Sequence, residues 1–425
     1  MKKILSQPYP LITVTGTKGK TTIIRLLDFV YRGLKFDTLR VDTDGHFVNG
    51  KQKSDYFYSR EYWGMVPNNC PGRFLFELGN EPLINSENKI CLLEAAIGSS
   101  SLLGLGYFRH NIGIWTNIYR DHITNVRIKN RKDIYNAKRF IFQGIRKGGI
   151  FIYNSSDKYL VKQLNKEKIK RTKIAVGYEV DNLDRFLLKG NYFFQINREN
   201  KELIFYKAGD KKDICNLEKI PFSFRGNFEP NLFNIAFVYA GLFAQLGERK
   251  FLRKVPEITE ILMAYSVNPE GGRLVFVRKK DYQLIIDFAH EAESFKQIAK
   301  LAKSVAKNRV VGVLRVDPSR INKDIKNIAK QISKYYDYIY IYDKVDGKKM
   351  KESIGVAEGK KRGIGETANL LSKYLQEVGF ANQEVVVEED DALLSAVKNV
   401  RPGDVIVYIG DGYNHKETLQ KVNRL

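Results

Sequence analysis

Residues 13–22 read Thr-Val-Thr-Gly-Thr-Lys-Gly-Lys-Thr-Thr, an apolar strand joined to a helix through a turn bracketed by Gly16 and Gly19. The two glycines allow a tight turn and close approach of backbone to a ligand, and the helix that follows aims its first amides and positive dipole end at an anion. Thr17, Lys18 and Thr22 line that turn, Lys20 adds a mobile charge, and Thr21 supplies a hydroxyl for the magnesium that accompanies a nucleoside triphosphate. The loop is a shortened phosphate cradle, because Val14 stands where the longer Walker pattern requires glycine. A second group falls on neighbouring strand ends. The run Cys91-Leu92-Leu93-Glu94 delivers a carboxylate to the carboxyl edge of the sheet, where α/β proteins bind ligands, so Glu94 is a candidate magnesium ligand. The run Ile114-Trp115-Thr116-Asn117 leads to Asp121-His122 beyond the same edge.

Positioning these groups requires alternating strands and helices. Strands are expected at Leu11–Thr15, 89–94, 112–117 and 149–153, with helices from Lys20 to about Gly33 and from about 132 to 146. Such alternation implies parallel βαβ units in a doubly wound sheet. Between about 175 and 222 the pattern changes to short β-type runs, at 186–188, 192–196 and 203–206, which reads as an antiparallel side sheet. A helix over 230–246 ends at Gly247, and the charged stretch 248–272, with Pro256 and Pro269, reads as a linker. Alternation then restarts with a hairpin (274–277, 284–288) and strands at 310–314, 338–342 and 405–409. The expected fold class is α/β throughout: a P-loop domain over 1–247 and a Rossmann-like domain over 273–425.

Composition narrows the function classes. The chain has 425 residues, 43% of them hydrophobic and 12% aromatic, enough for separate cores in two or three domains. Three dispersed cysteines, Cys70, Cys91 and Cys215, argue against a disulfide scaffold or zinc cluster and for a reducing, cytoplasmic setting. No apolar window is long enough for a membrane span. The net charge of +23 invites nucleic acid, yet the Lys and Arg are scattered, without a basic tail or aromatics spaced for stacking on bases. A solvated basic surface that attracts anionic substrates is the expectation, with no nucleic-acid partner.

Further along the chain come Lys138 in Tyr135-Asn136-Ala137-Lys138-Arg139-Phe140, then Asn231 and Asn234 one helical turn apart, Gly272-Arg273, and Asp287-Phe288-Ala289-His290. In this order the chain resembles the Mur ligase superfamily from about residue 11 to its end. That superfamily includes the peptidoglycan peptide ligases, folylpolyglutamate synthetase, the ligase module of cyanophycin synthetase and the archaeal pseudomurein peptide ligases. Thr43-Asp44-Gly45, Glu94-Ala95-Ala96-Ile97-Gly98, Gly104-Leu105-Gly106-Tyr107, Thr116-Asn117-Ile118 with Asp121-His122, and Arg401-Pro402-Gly403-Asp404 look like the cyanophycin-synthetase branch.

The resemblance implies an ATP-dependent carboxylate–amine ligase that works through an acyl phosphate and releases ADP and phosphate. Lys20 and Thr21 would hold the ATP phosphates and a first magnesium. Glu94 and His122 would bind a second, assisted by Lys138 as a carbamate. Asn231 and Asn234 would touch the nucleotide, Arg273 and Asp287 would reach ATP from the second domain, and His290 belongs to the same segment. The substrates implied are an amino acid and a small-molecule or peptide carboxylate, most simply a murein or pseudomurein precursor, UDP-linked or not.

The chain departs from the family pattern in places. Pro230-Asn231 replaces His-Asn, Glu291-Ala292 follows His290 where Asn-Pro is usual, and the phosphate loop at residue 16 leaves no room ahead of it for a UDP-gripping domain. Acceptor recognition is therefore expected from the insert 42–88, with Tyr56, Tyr58, Arg60, Tyr62, Trp63 and Arg73, or from the side sheet. The Gly-rich segment Gly410-Asp411-Gly412-Tyr413-Asn414-His415 is a further candidate, for the incoming amino acid. A Mur-like ligase acting outside the wall, on a polyamino acid, a folate-like acceptor or a cofactor, is the second reading. A P-loop ATPase switch or nucleic-acid-binding protein is the reading from another class.

Overall fold

The computed structural model describes residues 10–42, 45–54, 88–95, 109–120, 128–266, 274–343, 355–357, 360–410 and 420–422. Two compact units divide the chain, Met1–Tyr265 and Ser266–Leu425.

The first unit is built on one eleven-stranded sheet. Its strands are β1 (Leu11–Thr15), β2 (Asp37–Asp42), β3 (Gly45–Val48), β4 (Lys51–Ser54), β5 (Lys89–Ala95), β6 (His110–Trp115), β7 (Ile145–Asn154), β8 (Thr172–Gly177), β9 (Tyr192–Ile196), β10 (Glu202–Lys207) and β11 (Asp210–Asn216), in spatial order 11-10-9-8-7-6-1-5-2-3-4. From β9 to β2 every neighbouring pair is parallel. β1, whose five residues are all buried, lies between β5 and β6, so the connections leave it in opposite directions and a crevice opens at its carboxyl end. The glycine-bracketed loop over residues 16–19 sits at that switch point.

Helices cover this sheet where the apolar period is 3.6. They are α1 (Lys20–Gly33), α2 (Arg131–Lys138), α3 (Phe140–Gln143), α4 (Lys158–Leu164), α5 (Leu183–Leu188), α6 (Glu229–Leu246) and α7 (Glu248–Met263). α1 buries Ile23, Ile24, Leu26, Leu27, Val30 and Tyr31 against the sheet and α6. α6 is apolar around most of its circumference, as a helix enclosed by a sheet and other helices must be.

Four expectations change. The apolar run 186–188 is helical, in α5, because Asn182 at φ 49° accepts from the Arg185 amide and caps a short turn that buries Leu187 and leaves Leu188 exposed. The antiparallel strands β10 and β11 do not stand apart but extend the parallel sheet through β9. The helix expected over 132–146 breaks at Arg139 and ends at Gln143, and β7 begins at Ile145. Most of the stretch read as a linker is α7, which contains Pro256 and buries Phe251, Ile258 and Leu262. It packs against α1 where Gly33, lacking a Cβ, leaves room for Ile261.

In the second unit a six-stranded sheet takes the order β12 (Val275–Arg278), β13 (Gln283–Asp287), β19 (Val405–Ile409), β14 (Val310–Leu314), β15 (Tyr338–Ile341), β18 (Gln383–Val385). Only the β12–β13 hairpin is antiparallel. The helices α8 (Ala292–Val305), α9 (Asn322–Ile332), α10 (Glu366–Glu377) and α11 (Glu389–Lys398) connect the strands, and β16 (Gly355–Ala357) pairs with β17 (Lys360–Arg362) in a separate hairpin. Among the described residues no helix is long and apolar enough to cross a membrane.

His110, at the start of β6, is 1% exposed, and its Nε2 lies 2.8 Å from the Ile141 carbonyl. Burial lowers its pKa from 6.5 to about 4, partly offset by that hydrogen bond. Between those values the unfolded chain takes up a proton that the folded chain refuses, so this contribution is complete above pH 6.5 and is lost as the pH falls towards 4. The expected loss is about 3 kcal/mol between pH 7.5 and 4. Urea unfolding across this range should show H110Q losing less stability on acidification than wild type. Equal slopes for the two proteins would remove His110 from the account.

Candidate functional site

The phosphate loop is held open by its neighbours. Gly16 (φ 145°) and Gly19 (φ 86°) adopt conformations that favour glycine, and a Cβ would meet Thr116 Oγ1 at 1.9 Å or Asn234 Oδ1 at 2.6 Å. The Asn117 side-chain oxygen accepts from the amides of Thr17 (3.1 Å) and Lys18 (2.9 Å), while its backbone carbonyl accepts from Thr17 at 3.0 Å. Thr116 Oγ1 and Asn117 Nδ2 donate to the Lys18 carbonyl at 2.6 and 3.2 Å, and the Tyr119 amide donates to Thr17 Oγ1 at 2.9 Å. Gly19 brings no capping side chain to α1, so the first turn of a fourteen-residue helix faces the loop as an anion site requires.

Three chemical side chains converge beside it. Val14 pairs in register with Glu94, which sets the carboxylate next to the start of α1. Thr21 Oγ1 donates to Glu94 Oε2 at 2.8 Å, and Lys20 Nζ lies 3.9 Å from Glu94 Oε1 while donating to the Thr17 carbonyl at 3.1 Å. Thr21 and Glu94 are buried at 5% and 4% exposure. A hydroxyl and a carboxylate in contact at the head of this loop are hard oxygen donors of the kind that would hold a divalent ion such as magnesium. Lys138, at the end of α2, is 2% exposed, and its Nζ donates to Thr15 Oγ1 at 3.3 Å at the carboxyl end of β1. Thr15 Oγ1 in turn donates to the Ala95 carbonyl at 2.9 Å, which ties Lys138 to both strand ends.

Asn231 and Asn234 lie in the first turns of α6. Asn231 Nδ2 donates to the Phe222 carbonyl at 2.7 Å, Asn234 Nδ2 donates to Asn231 Oδ1 at 3.1 Å, and Asn234 stands against Gly19. Asp42, at the end of β2, adds a buried charge: burial raises its pKa, Arg40 (3.2 Å) and Arg25 (3.5 Å) pull it down, and the Glu94 charge adds to the rise.

Asp287 and His290 belong to the second unit, at the carboxyl end of β13. Asp287 Oδ2 accepts from the Leu274 amide at 2.8 Å, and its carbonyl accepts from Gly410 at 3.0 Å. His290 Nδ1 donates to the Phe288 carbonyl at 3.0 Å, and its ring lies 5.0 Å from that of Phe288. His122, Arg273, the aromatic and arginine residues of the insert between 56 and 73, and residues 411–415 fall outside the described residues. Sequence reasoning did not name Thr116 and Asn117 as site residues. Their signal is two polar residues where a parallel strand ends beside the phosphate loop.

Two family models match the chain: the Mur ligase middle domain over residues 14–217 and the Mur ligase glutamate ligase domain over residues 272–412. The chain belongs to the Mur ligase family. Cyanophycin synthetase of Nostoc sp. is 22% identical to it over 417 residues, 98% of this chain and 43% of the relative. The chain thus spans less than half the length of the cyanophycin synthetases it matches. UDP-N-acetylmuramoyl-L-alanyl-D-glutamate–2,6-diaminopimelate ligase of Clostridium perfringens is 23% identical over 429 residues, 96% of this chain and 75% of the relative. Among solved structures, E. coli FolC in complex with DHPP and ADP superposes with a TM-score of 0.66 at 16% identity, covering 99% of this chain and 90% of that one. The bifunctional folylpolyglutamate synthase/dihydrofolate synthase of Yersinia pestis, complexed with AMPPNP and a Mn ion, gives 0.66 at 16% identity over 99% and 91%. At such identities these likenesses show a common Mur ligase fold.

The geometry of Gly19 makes a direct prediction. G19A forces a left-handed residue to carry a Cβ against Asn234, and the stability of the first unit should fall by about 2 kcal/mol in chemical denaturation. Nucleotide affinity should fall with it, since the loop amides move. G19A with wild-type stability and nucleotide affinity would contradict the tight packing of the loop on α6.

Proposed function

We propose that the chain is an ATP-dependent carboxylate–amine ligase that adds an amino acid to an acidic acceptor and releases ADP and phosphate. The observation that carries this reading is the convergence of Lys20 and Thr21 on Glu94 at the carboxyl end of two adjacent parallel strands, around a loop pinned by Asn117. A carboxylate is a poor electrophile, and phosphoryl transfer from ATP turns it into an acyl phosphate that an amine attacks with loss of phosphate. The obstacle is repulsion between two anions, so positive charge and oriented amides fixed before reaction are the main requirement. The loop amides and Lys20 serve the triphosphate, and Thr21 and Glu94 would hold magnesium. Bound there, the metal supplies charge neutralisation and orientation of the reacting oxygens.

Lys138 is the residue we assign to a carbamate. Its burial beside Thr15 keeps it clear of solvent, and loss of the ammonium proton followed by addition of the neutral amine to carbon dioxide, with release of a second proton, would put an anionic oxygen donor where a cation stood. His122 is assigned, with Glu94 and the Lys138 carbamate, to a second magnesium, and Asn231, Asn234, Arg273, Asp287 and His290 to ATP, with Gly16, Thr17, Lys18, Gly19 and Thr22 lining the phosphates. The domain division we propose is a nucleotide-binding part that extends past residue 247 to take in α7, and a ligase part from residue 273.

For the acceptor we favour a cell-wall peptide precursor of murein or pseudomurein type, supported by the likeness to diaminopimelate ligases along nearly the whole chain. A polyamino-acid acceptor is the second reading, favoured by the run of cyanophycin synthetases that match 94–98% of the chain.

Phosphate release from MgATP, screened over amino acids combined with UDP-linked peptide precursors, polyamino-acid primers and small dicarboxylic acids, tests both. Release should require an amine and a carboxylate together. K20A and E94Q should lower kcat by 100-fold or more, the scale of losing a preorganised charge at a reacting centre. Phosphate release indifferent to every acid and amine would replace the ligase reading with an ATPase switch.

A further inference from the structure

Asn117, Ile118 and Tyr119 form the segment against which the phosphate loop is built, and its middle residue is held by a pair of side chains outside the nucleotide site. Ile118 is fully buried, and both of its backbone polar groups have charged partners. Its amide donates to Asp157 Oδ2 at 2.7 Å, and its carbonyl accepts from Arg131 Nη2. Arg131 Nη2 also lies 3.9 Å from Asp157 Oδ1, and its guanidinium covers the Tyr159 ring at 4.2 Å. Asp157 is the N-cap of α4, at the end of the β7 connection, and Arg131 is the first residue of α2. One carboxylate does two tasks: Oδ1 caps α4 through the amides of Tyr159 and Leu160, both at 3.0 Å, while Oδ2 fixes Ile118.

We infer that Asp157 and Arg131 are positioning residues for nucleotide binding, acting through Ile118 on the phosphate loop. The inference rests on the reading of residues 16–22 as the ATP phosphate site. The route is short. Asn117 accepts from the amides of Thr17 and Lys18 and Tyr119 donates to Thr17 Oγ1, so moving Ile118 moves both flanking residues and the loop with them. A capping residue alone needs one acceptor, which Asn or Ser supplies as well as Asp. The second carboxylate oxygen and its guanidinium partner are what capping does not explain. Charge-assisted hydrogen bonds suit the task, being shorter and stronger than neutral ones.

The discriminating variant is D157N. The Asn Oδ1 keeps the cap on Tyr159 and Leu160, but the amide nitrogen turns a donor toward the Ile118 N–H. D157S keeps a cap and leaves Ile118 without its acceptor, and R131M removes the carbonyl partner. N216A, which removes the acceptor for the Glu218 amide in a 3₁₀ turn of the same unit, measures what loss of an ordinary cap does. The full-length proteins are titrated with MgADP by calorimetry, alongside thermal unfolding and far-UV circular dichroism.

The expected result is that wild type binds MgADP, that D157N, D157S and R131M bind it at least 10-fold more weakly while keeping wild-type helical signal, and that N216A binds as wild type does. If any one of the three clamp variants fails to fold, the folded ones carry the test. MgADP affinity within twofold of wild type in the folded clamp variants overturns the inference, as does an equal loss in N216A or unfolding of all three. If wild type itself does not bind MgADP, the phosphate-site reading fails, and the inference with it, a result distinct from wild-type binding that the variants share.

Discussion

The side-chain oxygen of Asn117, shared between two amides of the loop that follows β1, is the contact on which the candidate site depends. A loop that offers its backbone to an anion cannot fill its concave side with its own side chains, so its shape must come from outside. Here that support comes from the end of β6, the neighbouring parallel strand, through Thr116, Asn117 and Tyr119. Gly16 and Gly19 are glycines for the complementary reason: the supporting atoms of Thr116 and Asn234 stand where a Cβ would be. Sheet order therefore matters to chemistry, because only a β6-β1-β5 arrangement puts the loop between the strand that braces it and the strand that carries Glu94.

The fold was legible wherever a long period or a run of buried strand residues left one solution. α1 and β1 are of that kind, as is the restart of alternation beyond residue 274, and the parallel sheet follows from them. Short segments were not. Phe186-Leu187-Leu188 is an apolar run that suits strand and helix equally, and the cap from Asn182, a tertiary-independent but inconspicuous signal, decides for helix. The stretch 248–263 looks like a linker for its charges and Pro256, yet Phe251, Ile258 and Leu262 fall on one face and are drawn into the core beside α1. Packing overrides local composition there.

The candidate site was legible in the same uneven way. Lys20, Thr21 and Glu94 sit at strand ends and a helix start, places that a sequence pattern marks, and the structure brings them within hydrogen-bonding or ion-pairing distance. Asn117 and Asp157 act across separations of about a hundred and forty residues respectively, and their types are common enough in turns that nothing local distinguishes them. Asp42 is a similar case. Its buried carboxylate is flanked by Arg25 from α1 and Arg40 from its own strand, and a sequence read in order does not pair them.

In the proposed reaction this loop and its carboxylate serve transfer of a phosphoryl group from ATP onto a substrate acid. The most direct test uses the acid that supports phosphate release, prepared with ¹⁸O in its carboxylate, with MgATP and the matching amine, and mass analysis of the phosphate formed. One ¹⁸O atom should pass from the acid into each phosphate, because the acyl phosphate breaks at its carbonyl carbon. Phosphate free of label, with the oxygen drawn from water, would contradict it.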